Sequence, residues 1–222
     1  MAVQAGLLVA AGTLAGAVLN RWLSRRDYRY VDEQDLPVRS TTWVIPVLAV
    51  TLPLVWVGLA RQGIPRAAVV TLAVIPLVAL AAIDIDTRRL PDRITRPLTG
   101  YAVLGAGVLA VSGWSTRPLI GAALGGLGLG AFYLLLVLLG GASGMGLGDA
   151  KLAVPLGALL GLVSPSLTIV GTFLGFLLGS LYALYRVLLR GAGRKSTIPF
   201  GPFMVLGGLG PLVTRGVFTL LG

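Results

Sequence analysis

Residues 67–83 read AAVVTLAVIPLVALAAI, seventeen positions without a charge, and residues 84–92 follow them as DIDTRRLPD. About 20 apolar residues carry a helix across the hydrocarbon core of a bilayer, and this run is one of a series. Similar runs cover about 2–19, 43–60, 97–113, 118–140 and 203–221. Residues 152–185 add 34 positions without a charge, too many for one crossing. Ser164-Pro165-Ser166 divides them, because proline ends helices and biases its predecessor away from the helical region. The pattern predicts an all-α polytopic membrane protein of about eight transmembrane helices. It forms a single domain over 1–222, whose one sizeable polar segment is 20–42.

Composition agrees. The chain is 56% hydrophobic and 12% charged, against roughly 25% charge in a soluble domain. Its net charge is +10, but the basic residues punctuate apolar runs instead of forming a patch, so the expected partner is the lipid bilayer and not a nucleic acid. Cysteine and histidine are absent. That excludes disulfides, thiol catalysis, zinc ribbons, histidine bases and haem ligation. Neither a metal nor a cofactor is expected, and chemistry falls to carboxylates, Lys/Arg, hydroxyls or backbone.

The charges also encode an orientation. Arg21, Arg25, Arg26, Arg29 and Arg39 follow the first run, Arg88, Arg89, Arg93 and Arg96 the third, Lys151 the fifth, and Arg186, Arg190, Arg194 and Lys195 the seventh. Only Arg61, Arg66, Arg117 and Arg215 fall on the other side. The positive-inside rule makes the richer side cytoplasmic and sets the N-terminus outside a multi-pass cell membrane protein. The first run carries its positive charge after the apolar stretch and not before it, which reads as a first helix and not a cleaved signal peptide. All eight acidic residues lie on the cytoplasmic side, although acids contribute little to topology. Glycines spaced by four (Gly12/Gly16, Gly121/Gly125, Gly126/Gly130, Gly157/Gly161, Gly171/Gly175/Gly179) are expected to let helix backbones approach closely in lipid.

Two segments hold candidate chemistry. Asp84 and Asp86 close the third run, and Gly146-Leu147-Gly148-Asp149-Ala150-Lys151 opens the sixth. A carboxylate at the edge of a membrane span is expensive and defaults to a functional hypothesis. Asp84 and Asp149 are expected at similar depth on one face. Two carboxylates brought together in a partly desolvated site tend to share one proton, so that one takes a proton from water while the other polarises a peptide carbonyl. Blander readings stand beside this. Asp149 is also a candidate N-cap, Lys151 its interfacial counter-ion, and Asp86 and Asp92 candidate partners of Arg88, Arg89 or Arg93 in a solvated turn. Other classes are a proton- or cation-coupled transporter using edge aspartates, a structural assembly protein, and a Ser-Lys protease built on Ser143 and Lys151.

At these residues the chain resembles the type IV prepilin peptidase family of GxGD-class membrane aspartic proteases. Gly146 to Lys151 match its GxGDxK signature, and Asp84-Ile85-Asp86 with Leu90-Pro91-Asp92 match its D-x-D…LPD element. Ile198-Pro199-Phe200-Gly201-Pro202-Phe203 resembles its C-terminal element, and Gly16 to Arg21 its opening segment. The resemblance implies catalytic aspartates at Asp84 and Asp149. Asp86 is the rival for the first position, since residues two apart on a helix point about 200° apart. Gly146, Gly148, Lys151, Pro91 and Asp92 are implied as supporting residues, with Lys151 anchoring the loop. It also implies an endopeptidase that removes a basic leader from prepilin or pseudopilin precursors at the cytoplasmic face. Asp27, Asp32, Glu33 and Asp35 are then candidates for holding that leader. Many bacterial members carry a cysteine-rich zinc-binding insert linked to N-methylation; here 20–42 stands in its place without cysteine, so methyl transfer is not expected.

Overall fold

A computed structural model describes residues 2–140, 145–190 and 198–221. Ser143, Arg194 and Lys195, named above, lie outside the described residues. Within them the chain forms eight α-helices: α1 Ala2–Arg25, α2 Val44–Ala60, α3 Ile64–Thr87, α4 Asp92–Ser112, α5 Arg117–Gly140, α6 Leu147–Val163, α7 Pro165–Arg190 and α8 Gly201–Leu221. No strand occurs among the described residues. Each apolar run has become a helix. Six of them (α1, α3, α4, α5, α7 and α8) are long and apolar enough to cross a membrane. The other two, α2 and α6, have 17 residues each, roughly 26 Å of rise against a hydrocarbon core of about 30 Å.

Several helices outrun their apolar stretch, and this is what places the candidate site. α3 continues past Ile83 to Thr87, so Asp84 and Asp86 ride on its last turn. Arg88 then ends it in the left-handed region (φ 54°, ψ 37°), its N–H donating to the Asp84 carbonyl at 2.9 Å. Pro91 is the extended N-cap of α4. The break between α6 and α7 falls where the sequence put it. Ser164 is extended, and Pro165 takes the first position of α7, where its missing N–H costs nothing.

Small residues set the tightest contact. A Cβ added at Gly125 would run into the Gly157 carbonyl and one at Gly157 into that of Gly125; Gly121 and Gly161 repeat the relation. Such spacing draws α5 and α6 backbone to backbone, as expected of glycine-rich interfaces in lipid. α3 and α6 are the inner helices. Two thirds of the apolar stretch of α3 is buried (67%) against 22% for α1 and α7, and α6 is buried almost continuously from Asp149 to Leu162. Both candidate aspartates therefore sit at the ends of the helices with the least contact with lipid.

Candidate active site

Antiparallel succession brings four interhelical connections to one end of the bundle. Tyr30 (α1–α2), Leu90 (α3–α4), Gly146 (α5–α6) and Phe200 (α7–α8) line a single cavity of about 560 Å³ there. Asp84, Asp92, Asp149, Gly148, Lys151, Arg88 and Arg89 face the same space. Asp84 and Asp149 are both buried, with the residues 4% and 9% exposed, and both line this one cavity although 65 positions separate them in sequence.

Each aspartate is held by a helix start. Asp84 Oδ2 accepts a hydrogen bond from the Gly201 N–H at 2.9 Å. Gly201 is the first residue of α8, whose orphan N–H groups and dipole favour an anion. Glycine lets the two approach this closely, because a Cβ on residue 201 would lie 2.8 Å from Asp84 Oδ2 and displace the carboxylate. Asp149 occupies the third position of α6 behind an N-cap at Gly146, so it is not the N-cap itself. Gly148 packs against Leu90, to which a Cβ would come within 3.3 Å. Gly148 thus brings the α6 start close to the α3–α4 connection.

The remaining carboxylates are occupied elsewhere. Lys151 donates to Asp92 Oδ1 at 2.8 Å and Arg96 to Asp92 Oδ2 at 2.8 Å, so Lys151 ties α6 to α4 and is not the counter-ion of Asp149. Asp86 turns away from the cavity. Its two oxygens accept from Arg29 Nη2 (2.7 Å) and Nε (2.8 Å), and Tyr28 Oη donates to it at 2.8 Å. The partner is therefore Arg29, brought in from the α1–α2 connection, and the pair is buried, with side chains 1% and 5% exposed. Burial together with Asp86 pushes the Tyr28 hydroxyl up to about 12, and the Asp86 hydrogen bonds hold Arg29 above its ordinary value. Asp27, Asp32 and Asp35 are exposed, and none of the four loop acids lines the cavity. Glu33 instead binds Arg89 at 2.7 Å. Among the described residues no cluster of three or more potential metal ligands forms.

Sequence reasoning missed Arg29, Tyr30 and the N–H of Gly201 as parts of this end of the bundle. The start of the Gly-Pro pair at 201–202 was visible as a motif but not as a donor to Asp84. For Arg29 no local signal exists, since its partner is 57 positions away.

An all-helical membrane bundle with two buried aspartates in one end cavity defines the class. Against known proteins, the sequence profile of the type IV leader peptidase family matches residues 71–184, which include both aspartates. The chain belongs to that family. It is 37% identical over 142 residues to a prepilin leader peptidase/N-methyltransferase of Aeromonas salmonicida, covering 60% of this chain and 44% of the relative. It is 38% identical over 151 residues to one of Burkholderia pseudomallei (65% and 46%). It is also 36% identical over 177 residues to one of Pseudomonas putida (72% and 58%). The chain spans about half the length of the curated relatives it matches. No solved structure matches it.

Proposed function

We propose that the chain is a membrane aspartic endopeptidase that removes the basic leader from prepilin or pseudopilin-like precursors, with Asp84 and Asp149 as its catalytic residues. The observation that carries this is the pair of buried aspartates from α3 and α6 lining one cavity. Their setting in the GxGDxK and D-x-D…LPD motifs of a leader peptidase family adds to it. With one proton between them, the ionised carboxylate takes a proton from water as the water oxygen attacks the scissile carbonyl. The protonated one donates to the carbonyl oxygen, giving a tetrahedral diol. Collapse breaks the C–N bond, the departing amine takes the proton held by the first aspartate, and a diol hydroxyl returns its proton to the second. The pair titrates as a unit. Gly201 N–H fixes Oδ2 of Asp84, which leaves Oδ1 as the oxygen assigned to this exchange.

The bundle works as one peptidase domain, with 20–42 a short cytoplasmic connection. Its N-terminus lies outside the cytoplasmic membrane and its cavity opens to the cytoplasm. The reading rests on the arginine distribution. A precursor then meets the site with its basic leader in the cytoplasm and its apolar helix in lipid. Without cysteine, the product is released unmethylated. The test is cleavage of a prepilin-like precursor in proteoliposomes by the wild type and by Asp84→Asn and Asp149→Asn. Loss of cleavage in both inserted variants is expected; retained cleavage in either refutes the pair. The mass of the new N-terminus reads methylation.

A further inference from the structure

The connection between α1 and α2 does not trail in solvent. Arg29 is its hub: besides gripping Asp86, its Nη1 donates to the Leu36 carbonyl at 2.9 Å and its Nη2 to that of Pro37 at 3.3 Å. Residues 29–37 are thus wound round one buried guanidinium, and that guanidinium is fastened to α3 two residues beyond Asp84. A buried ion pair tolerates loss of one partner poorly, because the other charge is left unpaired away from water.

The arc carries Tyr30 to the cavity wall. The Arg89 guanidinium lies 3.4 Å from the Tyr30 ring centroid, a cation–π contact. Glu33 Oε2 holds Arg89 Nη2 at 2.7 Å, and also accepts from the Tyr30 N–H at 2.9 Å. The plane of Arg89 is therefore fixed from two sides. Its Nε is buried with no hydrogen-bond partner, and Arg89 itself faces the cavity. That donor is closed off from the cavity, so an entering oxygen acceptor meets the Arg89 guanidinium through its other N–H groups. Asp84, Asp92 and Asp149 line the same cavity together with Arg88, Arg89 and Lys151, so its formal charges balance and no charged substrate group is called for. A neutral main-chain carbonyl, which every peptide substrate presents, suits that balance.

We infer that Tyr30 and Arg89 form a substrate-chain subsite beside the aspartates. There the Arg89 guanidinium donates to a main-chain carbonyl of the substrate, and Asp86 is a positioning residue that holds the subsite in place through Arg29. This rests on the peptidase reading above and adds to it the part of the cavity that binds without reacting. Uniform binding of this kind changes KM and leaves kcat alone.

The test is steady-state cleavage of a prepilin-like precursor by the full chain in proteoliposomes. Tyr30→Ala and Arg89→Ala, on partly exposed side chains, are expected to raise KM on the order of ten-fold with kcat unchanged. Tyr30→Phe, which keeps the ring, recovers most of what Tyr30→Ala loses. Asp86→Asn raises KM in the same way, and adds little to Tyr30→Ala because it acts through the same wall. Val31→Ala, 92% exposed beside Tyr30, changes nothing. Should Asp86→Asn fail to insert, the two cavity-wall variants still decide. Wild-type KM in both Tyr30→Ala and Arg89→Ala overturns the subsite while leaving the peptidase standing. No cleavage by the wild-type chain overturns both.

Discussion

One methyl group at residue 201 tests the site directly. In Gly201→Ala the new Cβ would meet Asp84 Oδ2 at 2.8 Å and Cγ at 3.3 Å, where ordinary contact begins at 3.4 Å. The carboxylate must retreat by roughly half an ångström to relieve the overlap, which stretches the 2.9 Å bond from the residue 201 N–H past useful length. Misplacement of a reacting group on the order of 1 Å costs about 10²-fold, so kcat for precursor cleavage is expected to fall about 10- to 100-fold. Folding is not expected to suffer. Alanine replaces glycine in a helix at a gain of about 0.5–1 kcal/mol, so detergent-solubilised protein melts at or slightly above the wild-type temperature. Gly210→Ala on the same helix, with nothing within 4 Å of the added methyl, is the matched control with wild-type kcat. A Gly201→Ala protein that cleaves at the wild-type rate would refute the role given to Asp84.

Three further outcomes are expected. Lys151→Gln removes the ion pair between α6 and α4, and Asp92→Asn removes that pair and the one with Arg96; melting temperature shifts little in either, as for exposed pairs generally, and the double variant loses no more than Asp92→Asn alone. Gly157→Val forces a branched side chain into the Gly125 carbonyl, and overpacking there costs ~1–3 kcal/mol or more; thermal melting in detergent should show a clear drop, with an unchanged midpoint refuting the backbone contact. Tyr28 is raised to about 12 by burial and Asp86. The latch therefore stabilises the fold fully below the ordinary tyrosine value near 10 and loses that contribution as pH climbs through 12. A difference titration against Tyr28→Phe should place the midpoint there, and lower in Asp86→Ala.

How much of this was legible can be judged residue by residue. The helices were legible because apolar length is decided locally, and the Pro165 break because proline acts on its own neighbours. Asp84 and Asp149 were legible as a pair because each interrupts or opens a run that physics prefers to keep uncharged. Asp86 was the hard case. Its arginine-rich surroundings at 88, 89 and 93 suggested a solvated turn, and the helix prolonged to Thr87 turned it instead toward Arg29. Long-range pairing between two polar segments leaves no periodicity to read. The function of 201 was hidden for the same reason: its contribution is a backbone N–H, which every residue but proline possesses.

The glycine contacts between α5 and α6 also bear on motion. Asp149 is carried by a pair of helices locked backbone to backbone, whereas Asp84 is carried by α3 and tethered to the first residue of α8. The two carboxylates are thus anchored to different helices, like the two jaws of a pair of pliers. Any shift of α3 and α8 against α5 and α6 alters the gap between the two acids. On the proposed peptidase reading, a lipid or detergent that shifts the two sets of helices by fractions of an ångström is expected to change the rate of precursor cleavage.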